Sequence, residues 1–447
     1  MVAKTGTKSL LVGLIVLSLV LISCGTLQVN IEFPPSPTSL PTTATRIETP
    51  AAQVTQGPSE PTKGVPTATG VVSGRRLKAG QKLVINEIHM FSAGDGWGVG
   101  RAAYDPNNTV LRTADGGLTW QDVAPLQVFA STPADGLAAV TFFGSKEHAW
   151  AAFAPRTPQP APQPAVIWTT TDGGVSWTPS QPLDFTNVQM EYYVPGVMGF
   201  SNEQNGWFMA HLGAGMSHDY IAIFTTADGG KTWKRVFDPQ KNGDLMSCTK
   251  TGVGFSSPQN GFLVGDCPGL MPELFLYRTK DGGQTWSKVS LPVPPGEPEN
   301  LISDNGNGCG IPSLVYSLAQ TIILDMRCER YNLGSAWSWL YISMDGGDSW
   351  KSYPLPANYG ILNFADPDDG WLLAMAKNDN TAGGEIFHTS DGGKTWLEVL
   401  GVGWQGVPEF PDAMNGWVVA HSGDLLALVH TTNGGTTWEE LKPVIGQ

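Results

Sequence analysis

The chain is poor in charged residues, above all in cations. Only 15% of its 447 residues are charged, and ten are arginines. Of the 26 Lys/Arg and 40 Asp/Glu residues, the first 80 positions hold seven and three. Residues 81–447 therefore hold 19 and 37, a net charge near −18. Because phosphate contacts need a basic face, this composition excludes nucleic acid as a partner.

Sequence motifs typical of a cofactor or metal site are also missing. The Gly-Gly pairs begin no helical pattern, so they do not form phosphate-binding loops. The five cysteines form no Cys-x-x-Cys pair and no Cys/His cluster, which zinc would need. His211 and His218, which flank a glycine-rich segment, are the remaining metal-ligand candidates. We expect no metal and no cofactor.

The N-terminus has the pattern of an export signal. Lys4 and Lys8 precede an apolar run from residue 10 to residue 22, which is short for a membrane span. The run ends in Leu-Ile-Ser-Cys, which resembles a bacterial lipobox and would make Cys24 the lipidated first residue. We therefore predict a signal peptide over 1–23 and a lipid anchor on the outer face of a bacterial membrane. The alternative is an uncleaved anchor.

Residues 24–80 have the composition of a tether. Positions 25–74 contain eight prolines, ten threonines and Phe33 as the only aromatic residue. Such a segment cannot bury enough apolar surface to offset its ordering entropy. Fifty residues span on the order of 40 Å as a random coil and roughly 155 Å as polyproline II.

The remaining residues, 81–447, are dominated by an octapeptide that returns seven times. It reads Ser/Thr, any residue, Asp/Asn, Gly, Gly, any residue, Thr/Ser, Trp. The copies begin at Thr113, Thr170, Thr226, Thr279, Ser343, Thr389 and Thr431. Their tryptophans recur every 53 residues on average, which indicates one supersecondary unit used repeatedly.

Each octapeptide is predicted to be a tight turn between two strands. The acidic or amide side chain can accept hydrogen bonds from the backbone ahead of it, and the two glycines allow positive φ. These side chains are Asp115, Asp172, Asp228, Asp281, Asp345, Asp391 and Asn433. A calcium loop is the alternative, but its Asp-x-Asx-x-Asx-Gly spacing is absent.

A second repeat, out of phase with the first, completes the unit. Asx-Gly-Trp-like turns precede six of the octapeptides, and residues 318–321 stand in the corresponding place before the fifth. Each unit is thus predicted to have four strands, because both turns join strand-like runs. Seven such units predict an all-β fold: a seven-bladed β-propeller of four-stranded antiparallel blades. We expect a monomer. The first and last units both look complete, which leaves ring closure open.

The octapeptide resembles the Asp-box, or BNR repeat, of sialidases, xyloglucan-cleaving glucanases, sortilin-type receptors and the photosystem II stability/assembly factor. Together with the second repeat, the chain most resembles the photosystem II assembly factor-like propeller. That resemblance implies a scaffold that binds a membrane-protein precursor. We predict a surface-anchored, non-enzymatic scaffold that binds a protein or a glycan. The glucanase and sialidase resemblance implies the alternative, a glycoside hydrolase acting on extracellular glycans, although the Arg-Ile-Pro start of sialidases is missing.

The four remaining cysteines predict two disulfides. Cys248 and Cys267 are 19 residues apart, as are Cys309 and Cys328. Each pair brackets a predicted hairpin at an equivalent place in blades 4 and 5, so its members would face one another across neighbouring strands. An exported chain can keep such bonds.

The irregular loops opposite the repeated turns are the expected binding surface. Aromatic, Arg and His side chains there are candidates for ligand contact: Tyr192, Tyr193, His211, His218, Arg327, Arg330, Tyr331, Trp337 and Trp404. Glu191 and Tyr192 are the nearest match to a sialidase Tyr/Glu pair, but adjacent strand residues point to opposite faces. Asp366, Asp368 and Asp369 lie in a repeated turn. We predict no catalytic residue.

Overall fold

The computed structural model describes residues 76–130, 135–158, 165–267, 274–303, 307–318, 320–330, 335–375 and 383–447. Cys24, the predicted signal peptide and most of the predicted tether lie outside these ranges. Two short 3-10 helices, Leu126–Phe129 and Gly243–Leu245, accompany a structure otherwise built from strands. No helix among the described residues is long and apolar enough to cross a membrane.

Seven antiparallel sheets form a propeller ring, as predicted. The strands of blades 1 to 4 are, in chain order, β1 (Leu83–Met90), β2 (Gly96–Ala102), β3 (Thr109–Thr113), β4 (Thr119–Asp122); β5 (Leu137–Phe143), β6 (Ala149–Pro155), β7 (Ile167–Thr170), β8 (Thr178–Pro179); β9 (Val194–Phe200), β10 (Gly206–Gly215), β11 (His218–Thr226), β12 (Lys234–Phe237); β13 (Thr249–Phe255), β14 (Gly261–Asp266), β15 (Phe275–Thr279), β16 (Ser287–Lys288).

The strands of blades 5 to 7 are β17 (Asn307–Leu318), β18 (Thr321–Arg330), β19 (Ser335–Ser343), β20 (Lys351–Pro354); β21 (Gly360–Phe364), β22 (Gly370–Met375), β23 (Gly384–Thr389), β24 (Leu397–Val402); β25 (Gln405–Glu409), β26 (Gly416–Ser422), β27 (Leu425–Thr431), β28 (Glu439–Leu441). Each blade follows chain order across its sheet. The first strands of blades 2 to 7 contact one another in succession, and those of blades 7 and 1 are also in contact, which places the first strands innermost.

The two repeated turns lie at the same end of every blade. In blade 3, Gly206 of the second motif pairs with Thr226, the first residue of the Asp-box; in blade 7, Gly416 pairs with Thr431 in the same way. We call this end of the propeller the motif face and the opposite end the loop face.

The Asp-box of blade 1 shows how the turn is held. The Thr113 hydroxyl donates to Asp115 Oδ1 at 2.9 Å and accepts a bond from the Gly117 amide. Asp115 also accepts bonds from the amide and hydroxyl of Thr119. Both glycines have positive φ, 76° and 94°, which a residue with a Cβ rarely adopts. In blade 4 the same bonds lower the pKa of Asp281 to about 2, the Thr285 hydroxyl contributing most.

Tryptophans of the second motif bind one blade to the next. Trp150 donates its indole N–H to the carbonyl of Gly229 in the Asp-box of blade 3, and Trp207 donates to Val253 in blade 4. In blade 5 the strand register places Ile323 at this position. The side chain of Ile323 carries no hydrogen-bond donor, so it contributes only apolar packing to the seam between blades 5 and 6.

The C-terminal segment closes the ring. Strand β29 (Val444–Ile445) pairs in parallel with β4 and adds a fifth strand to blade 1. Ile445 is 6% exposed and belongs to the core cluster between blades 7 and 1. Trp417 of blade 7 completes the seam by donating to the carbonyl of Gly116 in blade 1. Closure, which the sequence left open, thus uses main-chain pairing, apolar burial and an indole hydrogen bond.

Both predicted disulfides are present, Cys248–Cys267 and Cys309–Cys328, and each joins the first and second strands or strand ends of one blade on the loop-face side. Two disulfides are typical of an oxidising, extracellular environment.

Candidate functional site

A polar cluster on the loop face joins blades 3 and 4. His211 Nδ1 lies 2.9 Å from Asp219 Oδ1 across the paired strands β10 and β11. The other oxygen of Asp219 accepts the backbone amide of Lys250, which is the second residue of β13. Burial alone would raise the pKa of Asp219, but the His211 hydrogen bond and the charge of Lys250 lower it. His211 remains a quarter exposed, so the cluster reaches the surface.

Lys250 is an internal cation that organises this cluster. Its side chain is buried, and its ammonium group donates to the carbonyls of Asp219, Ser247 and Cys248. Burial lowers its pKa to about 8. Since an ammonium has three donors, the three carbonyls use all of them. Lys250 therefore fixes the loop backbone at the first disulfide and leaves no donor for a ligand.

The aromatic and His candidates of blade 3 divide between surface and core. Tyr192 is half-buried, and His218 is exposed at the tip of the β10–β11 hairpin. Tyr193 is 2% exposed and packs in the core between blades 2 and 3. Its prediction as a surface contact was wrong, because adjacent residues point to opposite faces and the second tyrosine turns inward.

A second cluster lies on the loop face at the seam between blades 5 and 6. The Arg327 guanidinium lies 4.9 Å from the centroid of the Tyr359 ring, and the Tyr359 hydroxyl donates to Glu329 Oε1 at 2.8 Å. Arg327 Nε is 3.8 Å from the same carboxylate. The side chains of Arg327 and Glu329 are about a quarter exposed. A guanidinium held against an aromatic ring is pre-organised to contact a ligand.

Asp325 lies on β18, two residues before Arg327, and is 8% exposed. Its Oδ1 is buried and has no hydrogen-bond partner among the described residues. Burial raises the pKa of Asp325 to about 7, against the opposing effect of the Arg327 charge. Burial also raises the pKa of Asp266 at the end of β14. Both carboxyl groups are therefore harder to ionise than ordinary surface carboxylates.

The other predicted contact residues are more scattered. Trp337 is half-buried against the core between blades 4 and 5, and Trp404 packs edge-on against Trp438 at 5.4 Å. Arg330 ends β18, and its side chain lies outside the described part of the structure, as does all of Tyr331. The candidates therefore do not form one continuous patch: the described ones belong to the blade 3–4 cluster, the blade 5–6 cluster or the blade edges.

A third polar cluster lies along the inner strands. His89 Nδ1 of blade 1 is 2.8 Å from Glu409 Oε1 of blade 7, and Asn363 of blade 6 donates to the other Glu409 oxygen at 3.3 Å. Glu87 accepts a bond from the Thr141 hydroxyl of blade 2 at 3.1 Å. Enclosure within the ring raises the pKa of Glu87, and the Glu409 charge adds to this effect. For His89, enclosure opposes protonation, but Glu409 outweighs it and raises the pKa.

Several of these residues escaped prediction from the sequence. Lys250 and Glu87 lie in strands whose sequences alternate in the ordinary way, so no sequence pattern indicated a functional role for them. Asp325 did leave a signal, since it interrupts the apolar run Ile-Ile-Leu-Asp-Met over residues 322–326.

Among the described residues, no group of three or more His, Cys, Asp or Glu side chains is arranged to hold a metal ion. His211 and His218 do not converge on a metal, since His211 binds Asp219 and His218 Nδ1 contacts the Met216 carbonyl.

Comparison with known proteins finds one family model and several solved structures that are similar to parts of this chain. The BNR/Asp-box repeat family model matches residues 277–288, which span the box of blade 4. No curated protein sequence matches the chain. A structure of YCF48 bound to D1 peptide is 17% identical over 80% of this chain and 96% of its own, with a TM-score of 0.47.

Two further solved structures have similar coverage of this chain. YCF48 from Cyanidioschyzon merolae is 16% identical over 81% of this chain and 99% of its own, with a TM-score of 0.43. The GH74 enzyme of Niastella koreensis is 13% identical over 81% of this chain and 63% of its own, with a TM-score of 0.32.

Proposed function

We propose that this Asp-box propeller is a non-enzymatic scaffold that binds a protein or glycan ligand at its loop face. We further propose that lipid on Cys24 holds it to the outer face of a bacterial membrane. The observation that carries the binding proposal is the placement of polar side chains that are about a quarter exposed on strands fixed by disulfides.

The Cys309–Cys328 bond lies directly under the blade 5–6 cluster. Arg327 and Glu329 flank Cys328 in β18, and Cys328 pairs with Cys309 across β17. The bond fixes the strand, and the Tyr359 ring and hydroxyl fix the two side chains. Side chains that are ordered before binding lose little conformational entropy on binding, which favours a recognition surface.

The Cys248–Cys267 bond has the same relation to the blade 3–4 cluster. The Cys248 amide donates to the Ser217 carbonyl in the β10–β11 hairpin, and the Lys250 ammonium donates to the Cys248 carbonyl. These two hydrogen bonds hold the backbone at the disulfide in place. His211 and Tyr192 are thereby presented from a rigid support. Hydrogen-bond donors and acceptors in both clusters fit a polar ligand, such as a polypeptide segment or a saccharide.

A glycan array and a random peptide array probed with the full-length protein would test this proposal. We expect saturable binding that falls at least tenfold in Arg327→Ala and in Tyr359→Phe, because the first removes the guanidinium and the second its hydrogen-bonded support. Lys146→Ala, an exposed change on the motif face, is the matched control. Binding that survives both loop-face changes would contradict the proposal.

A glycoside hydrolase is the second candidate, and the inner-strand cluster is the observation that favours it. Glycosidases use one carboxyl with a raised pKa as general acid and a second, ionised carboxylate nearby. Glu87 has the raised pKa, and Glu409 is close enough for its charge to act on both Glu87 and His89. Turnover of a panel of chromogenic glycosides that is abolished by both Glu87→Gln and Glu409→Gln would decide for the enzyme.

The lipid anchor has its own test. Cells grown with an alkyne fatty acid should label the wild-type protein, and the label should be absent from Cys24→Ser while the amount of protein is unchanged. Persistent labelling of Cys24→Ser would refute lipidation at this residue.

A further inference from the structure

The seams between consecutive blades are covered on the loop-face side by the chain that connects the blades. Each connector leaves the fourth strand of one blade and crosses to the first strand of the next. On the way it places an apolar side chain in or against the core cluster between the two blades. From the blade 1–2 seam to the blade 6–7 seam, these side chains include Phe129, Leu183, Met246, Leu301, Leu355 and Trp404. An apolar side chain at this place is therefore a regular part of the repeat.

The seam between blades 7 and 1 differs, because no connector joins the last blade to the first. The two ends of the propeller, residues 76–82 and 442–447, meet there instead, and the Gly80 amide donates to the Ile445 carbonyl. Leu77 and Ile445 belong to the core cluster of this seam or pack against it. A cavity of about 430 Å³ nevertheless remains beside the two chain ends.

The walls of this cavity are mainly apolar. Its apolar side chains come from the first strand of blade 1, the last two strands of blade 7 and β29: Leu83, Ile85, Leu426, Leu428, Leu441 and Val444. Leu426 is 51% exposed, so the cavity opens to solvent. Of the charged side chains in the wall, Lys442 is paired with Glu440, and Lys82 is the third. Since burying one large apolar side chain is worth about 1.5–3 kcal/mol, the cavity favours an apolar occupant.

Residues 27–33, which lie outside the described ranges, have a sequence that matches this cavity. They read Leu-Gln-Val-Asn-Ile-Glu-Phe, so apolar and polar residues alternate strictly. Four of the ten Val, Ile, Leu and Phe residues in positions 25–74 lie in this stretch. In an extended chain, alternate side chains lie on the same side and about 7 Å apart. Two of them, such as Ile31 and Phe33, can therefore enter one cavity.

The connection of this segment to the propeller favours an intramolecular contact. Residues 34–75 link it to Arg76, and the described chain then runs to Lys82 in the cavity wall. Two binding elements joined by such a link have an effective concentration on the order of 1 mM, which favours this segment over a separate partner protein. The tether cannot form a core alone, but the cavity offers apolar surface that is already formed.

We propose that residues 27–33 dock in the cavity between blades 7 and 1 and cover this seam as the connectors cover the others. Ile31 and Phe33 pack against Leu426 and Leu441. Given the proposed lipid on Cys24, docking holds the propeller within nine residues of its anchor, at most about 30 Å, and release restores the reach of the whole tether. The dock uses neither loop-face cluster, so it stands whether or not the proposed ligand surface holds.

The experiment uses the full-length protein in bacterial membranes, with the photo-crosslinking residue benzoylphenylalanine in place of Phe33. After irradiation, mass spectrometry identifies the crosslinked peptides. We expect crosslinks within one chain to the peptides that contain Leu426 or Leu441. The control carries benzoylphenylalanine in place of Val54, which is nearer to the cavity along the chain but lacks the alternating neighbours. It should give at least fivefold fewer crosslinks to the same peptides.

Matched variants change the cavity wall and the segment separately. Leu426→Lys places a charge in the wall and should lower crosslinking from position 33 at least fivefold. Leu397→Lys, the same change at a leucine of blade 6 that is 73% exposed, should leave it unchanged. Ile31→Asp should also lower crosslinking, whereas Asn30→Asp adds the same charge to the polar side of the segment and should not. Because Ile31→Asp leaves the propeller untouched, the test does not depend on how Leu426→Lys affects folding.

Three outcomes would overturn the proposal. Equal crosslinking from positions 33 and 54 would show that residues 27–33 have no preference for the cavity. Crosslinks that join two copies of the chain, recognised by a dimer of twice the mass, would assign the cavity to a second chain. Crosslinks to lipid, with none to the peptide of Leu426, would place residues 27–33 at the membrane surface.

Discussion

His89 and Glu409 join the first and last blades at the inner strands, with 2.8 Å between Nδ1 and Oε1. The contact lies at the seam that the chain must close after every other blade is in place. It is the inner counterpart of β29, which closes the same seam at the outer edge.

This pair makes the stability of the seam depend on pH. The pKa of His89 is raised in the folded state, so its stabilising contribution is complete below about 6.5, the usual pKa of histidine, and is lost as the pH rises through the raised value. We expect His89→Gln to lower the melting temperature at pH 5.5 and to have a smaller effect at pH 9. His218→Gln, which changes an exposed histidine, is the control; equal effects of the two changes would contradict this role for His89.

Closure of the ring at its outer edge predicts that truncating one buried side chain, that of Ile445, strongly lowers the stability of the protein. Ile445 is buried between blades 7 and 1, so Ile445→Ala should destabilise the protein by about 2–4 kcal/mol in denaturant unfolding. Val444→Ala on the same two-residue strand is the matched control and should cost less, because Val444 is only half-buried. Identical midpoints for the two variants would show that the seam does not depend on Ile445.

Replacing the buried Asp325 by a neutral residue is expected to stabilise the protein. The pKa of Asp325 in the folded state, about 7, lies above the ordinary aspartate value. Between about pH 4 and pH 7 the unfolded state therefore releases this proton while the folded state retains it, and the free energy of unfolding falls as the pH rises. The shift corresponds to an upper limit of about 4 kcal/mol. Asp325→Asn should therefore raise the melting temperature at pH 8 and leave it nearly unchanged at pH 4. Asp368→Asn, at an exposed site, should do neither; a loss of stability in Asp325→Asn at pH 8 would contradict the reasoning.

The Asp-box of blade 4 can be compared with the natural Asn of blade 7. Asn433 Oδ1 accepts bonds from Thr431 and from the Thr437 amide, and its amide group donates to the Thr437 hydroxyl. Asp281→Asn should therefore cost less than about 1 kcal/mol, whereas Asp281→Ala should cost about 1–3 kcal/mol because it leaves the turn amides unpaired. Urea unfolding at pH 7 separates the two. The opposite ranking would mean that charge, and not hydrogen-bond geometry, holds the turn.

The repeat made the fold predictable, and the departures from it were harder to interpret. The glycines and the Asp of each box have one local solution, so blade number and phase followed from the sequence. Ring closure did not, because β29 has only two residues and its pairing with β4 is non-local. Tyr192 and Tyr193 are adjacent in sequence, yet only Tyr193 is buried in the core. Lys250 acts through three main-chain carbonyls, one in β11 and two before β13, whose convergence depends on the tertiary fold.

The indole hydrogen bonds between blades are unevenly distributed around the ring, since Trp97, Trp150, Trp207 and Trp417 make one and Ile323 does not. Blades 2 and 3 each form an indole hydrogen bond across the seam to the next blade, whereas blade 5 has the apolar side chain of Ile323 at this position. An apolar contact tolerates small sliding, because it has no preferred direction, whereas a hydrogen bond does not. Phe262 of blade 4 likewise carries no donor, and the Trp371 indole N–H of blade 6 has no partner among the described residues. The seams after blades 4, 5 and 6 are therefore held by apolar contact on the motif-face side, which makes this half of the ring the more compliant one.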